Sequence, residues 1–247
     1  MKYLICGACG HMGRIMLRLI TERCPDADVI PVDAKPDCED VYRSIEDYRG
    51  TADCIIDFSH HSGTKTLTDY AARTGTPLVL ATTGQTAEEL EMIRAAAKRT
   101  AVFFSSNFSV GIAVLCRLAR QAAAAFPDAD IEIVEAHHNR KLDVPSGTAL
   151  TLARSIQAQR KDAVLNIGRH ENGKRQKQEI GVHSLRLGNV VGMHEIHIAT
   201  ATQTLTLRHE AHDRKLFAEG ALDAAAFLRG KPAGLYGMED LLKEASA

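Results

Sequence analysis

The sequence predicts an α/β protein in two parts: a parallel sheet wound with helices, then an α+β domain built on a mixed sheet. Three observations carry that expectation. As far as Phe108, short apolar runs alternate with helical patterns. A glycine turn, Gly7-Ala8-Cys9-Gly10-His11-Met12-Gly13, separates the first run from the first helix. After Phe108 the rhythm changes to a long alanine-rich helix, a strand, and then segments of alternating polarity.

Lys2-Tyr3-Leu4-Ile5-Cys6 reads as a buried parallel strand, and Ile15, Met16, Leu19 and Ile20 recur at helical spacing behind the glycine turn. The next run, Val29-Ile30-Pro31-Val32, ends in Asp33, and Gly13 to Asp33 is 33 − 13 = 20 residues. Strand, glycine turn, helix, strand and acid stand in the order of a dinucleotide-binding (Rossmann) unit. Glycines let the backbone approach a pyrophosphate, the helix N-terminus stabilises its charge, and the carboxylate takes ribose hydroxyls. Gly7, Ala8, Cys9, Gly10, His11, Met12 and Asp33 are therefore candidate cofactor-binding residues, with Ala8 standing where the common pattern has glycine. Cys6-Gly7-Ala8-Cys9 is also a Cys-x-x-Cys. Redox chemistry needs its first cysteine exposed, whereas Cys6 ends a buried strand, so the structural reading is preferred.

Ala52–Ser59 is the next strand, and His60 and His61 open the helix after it, as a solvated pair rather than a metal site. Pro77–Leu80 leads into Ala81-Thr82-Thr83-Gly84, Ala87–Arg99 is a charged surface helix, and Thr100–Phe104 leads into Ser105-Ser106-Asn107-Phe108-Ser109. Strands that end in small polar residues suit a cofactor cleft at the carboxyl edge of a sheet. Ala81, Thr82, Thr83, Ser105, Ser106, Asn107 and Phe108 join the cofactor-binding candidates.

Val110–Phe126 is the alanine-rich helix and Ile131–Val134 the strand that follows. Then comes Glu135-Ala136-His137-His138-Asn139-Arg140-Lys141-Leu142-Asp143-Val144-Pro145-Ser146-Gly147-Thr148-Ala149, closed by an amphipathic helix. Adjacent histidines alone are often a polar loop, and Pro-Ser-Gly-Thr alone is a turn with a helix cap. Together, beyond a strand end, they make a carboxylate or phosphate cradle: helix N–H groups, the Lys141 charge, and an imidazole suited to proton transfer. Lys174–Glu179 is a polar loop, and Ile180–Leu187, His194–Ala199 and Thr204–His209 read as antiparallel strands. The histidines scattered among them have no zinc-site spacing, so no metal is expected. Arg214–Arg229 is a final long helix, with a short one after Gly237.

The 247 residues, 45% hydrophobic and 25% charged, are globular in composition. A net charge of −1 gives no pull toward nucleic acid or an anionic membrane. No run is long enough to span a bilayer, and the first residues do not resemble a signal peptide. A cytoplasmic protein with free cysteines is expected.

On these motifs the chain resembles the 4-hydroxy-tetrahydrodipicolinate (dihydrodipicolinate) reductase family nearly end to end. The resemblance rests on Gly7-x-x-Gly10-x-Met12-Gly13-Arg14, Asp57-Phe58-Ser59, Thr82-Thr83-Gly84 and Asn107-Phe108-Ser109-Val110-Gly111. Its most specific part is Glu135-Ala136-His137-His138 with Lys141, Asp143 and Pro145-Ser146-Gly147-Thr148-Ala149. Arg186-x-Gly188, Gly192-x-His194 and Gly234-Leu235-Tyr236-Gly237 complete it. The resemblance implies hydride transfer from NADH or NADPH to a dehydrated cyclic imine bearing two carboxylates, in the diaminopimelate route to lysine. It implies that His137 is the general acid, that Lys141 acts in catalysis and binds substrate with His138, and that Ser146, Gly147 and Thr148 hold a carboxylate. It implies a cofactor domain of residues 1–108 completed by 214–247, a substrate and oligomerisation domain of residues 109–213, and a homotetramer. Many relatives carry arginine at the positions of His11 and Ala34, where it serves a 2′-phosphate. Here NADH is expected to serve at least as well as NADPH, with Lys35 the one nearby cation. The rival readings are another NAD(P)-dependent amino-acid or semialdehyde dehydrogenase, which needs a different substrate motif, and a non-catalytic NAD(P) sensor, which has no use for His137 beside Lys141.

Overall fold

In the computed structural model, which describes residues 1–244, the apolar runs become strands and the periodic segments helices. In chain order the elements are β1 (Lys2–Cys6), α1 (His11–Arg23), β2 (Asp28–Val32), β3 (Cys54–Asp57), α2 (Thr64–Thr74), β4 (Leu78–Leu80), α3 (Ala87–Ala97), β5 (Ala101–Phe104), α4 (Val110–Ala125), β6 (Asp130–His137), α5 (Gly147–Gln157), β7 (Val164–Ile167), β8 (Glu179–Arg186), β9 (Gly192–Ala199), β10 (Thr204–Ala211), α6 (Lys215–Phe227), β11 (Gly234–Tyr236) and α7 (Met238–Glu244). They fall into two units: Met1–Ser109 with the segment from Lys215 onward, and Val110–Arg214.

The first unit holds a six-stranded sheet in the order β11-β5-β4-β3-β1-β2, parallel throughout. Leu4, Ile5, Ile55, Ile56, Leu78, Val79, Leu80, Val102 and Phe103 are all fully buried, which is why these strands read as continuous apolar runs. Each such side chain contributes roughly 1.5–3 kcal/mol by leaving water. Pro31 is tolerated because β2 is an edge strand, where one missing N–H donor is harmless. α6 packs on α1, β3 and β4 of this same unit.

The second unit is a five-stranded mixed sheet, β10-β9-β6-β8-β7. α4 and α5 pack on one face through Ile112, Leu115, Ala119, Leu152, Ala153 and Ile156, against Ile131, Ile133, Val182, Ile196 and Ile198. The opposite face presents Glu132, Val134, His183, Leu185, Glu195 and His197, none of them buried. Glu132 there accepts from His183 at 2.8 Å and Arg175 at 3.1 Å.

One sequence expectation fails here. The segment Ile180–Leu187 was expected to pair antiparallel, yet β8 runs parallel to both β6 and β7. α5 carries the chain back along the sheet before β7, and the loop of residues 168–178 does so again before β8, and a crossover of that kind returns a strand in parallel. β9 is antiparallel to β6 and β10, as the alternation suggested. β7 and β11, of four and three residues, were too short to stand out as periodic segments. No helix among the described residues is long and apolar enough to cross a membrane.

Candidate active site

Strand alternation builds the site. In β6, Ile131, Ile133, Glu135 and His137 point to the face under the helices. The first two enter the core, so the strand drives a carboxylate and an imidazole into the same buried layer, with Glu135 fully buried and His137 8% exposed. A buried charge must be paired, and Glu135 is saturated. Arg186 of β8 donates to its carboxylate through Nη1 at 3.0 Å and Nη2 at 2.9 Å. The Ser146 N–H donates at 3.2 Å, and His137 Nδ1 stands 2.5 Å from Oε2. Burial alone pushes the Glu135 carboxyl up, but hydrogen bonds from His137, Arg186 and Ser146 outweigh it and hold it far below the usual range. Glu135 is an anion at any pH where the protein works.

That anion fixes the imidazole. With Nδ1 on the carboxylate, the hydrogen-bond pattern assigns the Nδ1–H tautomer and leaves Nε2 for a reacting group. Gly192 keeps space beside it: a Cβ there would lie 3.1 Å from Nε2.

Ser146 caps α5, its hydroxyl accepting from the Ala149 N–H at 3.2 Å and lying 3.2 Å from His194 Nε2. Ser146 is buried and so committed to framing the site, while Gly147 is exposed and Thr148 half-buried at the helix start. Lys141 Nζ pairs with Asp143 Oδ1 at 2.8 Å. His138 Nε2 lies 3.5 Å from Arg214 Nη2. Burial lowers the His138 pKa first, and Arg140, Arg214, His137 and Lys141 lower it further. Arg140, Arg214 and Lys141 thus lie close enough to His138 to oppose its charge.

His194 illustrates the cost of that layer. Burial lowers its pKa to about 3, with His137, His209 and Lys141 opposing its charge and Glu135 favouring it. An unfolded histidine titrates near ~6.5. Between those values the unfolded chain holds a proton that the folded one lacks, so stability is complete above about pH 6.5 and is lost as pH falls toward about 3. Melting temperatures followed from about pH 7 to about pH 4.5 should fall less steeply for His194→Gln than for the wild type. Equal slopes would remove His194 from the acid response.

The first unit carries the cofactor candidates. Gly7 has φ +78°, and a Cβ on it would lie 2.7 Å from the Phe58 backbone; one on Gly13 would lie 2.1 Å from the Gly7 carbonyl oxygen. Only glycine lets strand, turn and helix come this close. α1 begins at His11 with no side-chain cap and no acid in its first turn, so its positive end stays open to an anion. Asp33 reaches the same turn, Oδ2 accepting from the Cys9 N–H at 2.9 Å and Oδ1 from the Lys35 N–H at 2.9 Å. Turn, open helix end and carboxylate fit a dinucleotide.

Ala81, Thr82 and Thr83 follow β4, and Ser105 to Phe108 follow β5, both at the carboxyl edge. The Ser105 hydroxyl donates to the Asn107 carbonyl at 2.7 Å, and Asn107 Oδ1 accepts from the Ser109 N–H at 2.8 Å. Cys6 is buried, and burial first, then Asp57 and Asp33, raises its thiol well above the ordinary value, which is the inert reading of Cys-x-x-Cys. His61 Nδ1 lies 3.0 Å from Glu89, and His60 caps the turn before α2.

The sequence reading gave no role to Glu135, Arg186, His194 or Arg214. Glu135 was recoverable, since it lies in phase with Ile131 and Ile133 and is therefore a buried carboxylate that requires a partner. Arg214 immediately precedes α6, where a cation opposes the helix dipole. Arg186 and His194 stood in the motifs that carry the family resemblance, but their part in the cluster comes only from strand pairing.

Comparison with known proteins agrees with this geometry. The family profile for the N-terminus of dihydrodipicolinate reductase matches residues 1–108, and that for its C-terminus residues 111–242. The 4-hydroxy-tetrahydrodipicolinate reductase of Alkaliphilus metalliredigens is 41% identical over 98% of this chain and 99% of its own. That of Caldanaerobacter subterraneus subsp. tengcongensis is 40% identical over 98% of each. The dipicolinate-bound dihydrodipicolinate reductase from Paenisporosarcina sp. TG-14 superposes with a TM-score of 0.80 at 25% identity, covering 97% of this chain and 98% of that one.

Proposed function

The chain belongs to the dihydrodipicolinate reductase family and is an NAD(P)H-dependent 4-hydroxy-tetrahydrodipicolinate reductase of lysine biosynthesis, and from that premise we propose how its residues divide the work. The observation that carries the proposal is the buried His137, held at Nδ1 by an ionised Glu135 that also accepts from the N-cap residue of α5, Ser146.

Bound NAD(P)H supplies a hydride. The unsaturated ring that accepts it acquires an electron pair on the neighbouring carbon, and His137 Nε2 delivers the proton that quenches it. Glu135 stabilises the imidazolium before transfer and keeps the Nδ1–H tautomer after it. Arg186 neutralises Glu135, so the carboxylate does not repel a doubly charged substrate. Lys141 exchanges its Asp143 partner for a substrate carboxylate, and the N–H groups of Gly147 and Thr148 with the Thr148 hydroxyl receive a carboxylate at the helix start. The Arg214 guanidinium, with the neutral His138 imidazole 3.5 Å away, receives the other one. The dipicolinate carried by the Paenisporosarcina reductase, a ring dicarboxylate, supports this pairing.

Gly7, Ala8, Cys9, Gly10, His11 and Met12 would cradle the pyrophosphate, and Asp33 would take the adenosine ribose hydroxyls. Ala81 to Thr83 and Ser105 to Phe108 would line the cleft. NADH is proposed to serve at least as well as NADPH, because Asp33 repels a 2′-phosphate and Ala34 offers no donor. Values of kcat/KM with each cofactor test this; Ala34→Arg should shift preference toward NADPH by adding a guanidinium. A wild type favouring NADPH more than about tenfold would refute it. A homotetramer is proposed on the sheet face carrying Val134, Leu185, His183 and Glu195, Leu185 being 48% exposed. Light scattering after size exclusion gives the mass directly, and a monomer would overturn it.

The reductase assay is the loss of reduced-nicotinamide absorbance on adding freshly made cyclic substrate. Turnover on that substrate alone distinguishes this function from that of an amino-acid or semialdehyde dehydrogenase, and any turnover rules out a sensor.

A further inference from the structure

The rim of the glycine turn carries a second carboxylate that the dinucleotide pattern does not call for. Asp37 lies past the end of β2, in the segment Asp33-Ala34-Lys35-Pro36-Asp37. Its carboxylate is ion-paired with Arg14 of α1. Arg14 in turn folds back on the turn, its Nε donating to the Cys9 carbonyl at 2.9 Å. The Cys9 thiol hydrogen-bonds Asp37, while the Cys9 N–H is held by Asp33 at 2.9 Å. One residue of the turn is thus gripped by two carboxylates. The Cys9 thiol first, opposed by burial and then aided by Arg14, keeps Asp37 below the usual carboxylate range, so it is charged at neutral pH. With Lys35 and Arg14 set against Asp33 and Asp37, the charged groups of this rim balance, and Asp37 supplies one of its two negative charges.

As a contribution to stability the pair is minor, because both side chains are half exposed and screened by water. Its weight falls on ligand choice. We propose that Asp37 is a specificity-determining residue: it engages the Arg14 guanidinium and adds a second negative charge beside Asp33, so the turn disfavours a 2′-phosphate on the adenosine ribose. This deepens, and rests on, the reading of the turn as the adenosine-ribose site. A 2′-phosphate needs a bidentate cation and suffers from facing carboxylates, whereas ribose hydroxyls need only the acceptor that Asp33 provides. Besides Lys35, a guanidinium able to meet a phosphate is already present in Arg14, and it is committed to Asp37. Removing Asp37 both releases it and leaves the rim one charge more positive.

The test is calorimetric titration of the intact enzyme with NADH and with NADPH, for the wild type, Asp37→Asn, Asp37→Ser and the double variant Asp37→Asn/Arg14→Gln. Both single variants should move the ratio of the two Kd values toward NADPH by about fivefold or more, with the gain shrinking as salt rises. The double variant should return the ratio to within about twofold of the wild type. Single variants that leave the ratio within about twofold, or a gain that survives loss of Arg14, would overturn the proposal. The reading of the ribose site fails separately: Asp33→Ala that leaves NADH affinity unchanged would sink that reading, whatever Asp37 does.

Discussion

Replacing His137 with glutamine is expected to lower kcat by roughly 10²–10⁴ while leaving NADH affinity nearly intact. Glutamine keeps a hydrogen bond to Glu135 but carries no transferable proton, so the electron pair left by hydride addition must wait for water. The size of the loss follows from what one positioned acid contributes. It should appear in kcat because the proton moves only in the transition state. Glu135 and Arg186 would remain paired, so a normal melting temperature is expected alongside the loss. Full turnover by this variant would end the acid role.

Removing the Lys141 ammonium is expected to cost roughly 2–5 kcal/mol in kcat/KM. Lys141 is largely shielded from water, with a side chain 21% exposed, and in the proposed mechanism its charge pairs with a substrate carboxylate. Alanine there removes the attraction and also leaves Asp143 unpaired. Lys141 holds Asp143 below the usual carboxylate range against the effect of burial, so its loss raises the energy of a carboxylate close to where the substrate carries its own charge. Steady-state kinetics with varied substrate at saturating NADH give the value. A defect confined to NADH binding would place Lys141 outside the substrate site.

Much of this was legible before any coordinates. The parallel sheet followed from strands with no alternation, since burial on both faces removes polar positions. The glycine turn and Asp33 followed from spacing, because close approach of backbone to helix tolerates no side chain at Gly7 and Gly13. His137, Lys141 and the Ser-Gly-Thr helix start stood together in one stretch. What sequence could not supply was partnership across strands. Arg186 meets Glu135 because β8 lies parallel beside β6 with His137 opposite Arg186, and the expected antiparallel pairing would have placed other residues there. His194 enters through β9 on the other side. Asp37 reaches Arg14 across a loop of no periodicity, and a single sequence holds no trace of that contact.

The most direct measurement is the pH dependence of kcat/KM at saturating NADH, from about pH 6 to about pH 9, for the wild type and His137→Gln side by side. With one acid supplying the proton, the wild type should lose rate on the alkaline side with the slope of a single proton, and the far slower variant should lack that limb. A variant that kept the same alkaline limb would show that the proton comes from another group, and would contradict a His137 held by Glu135 as the acid.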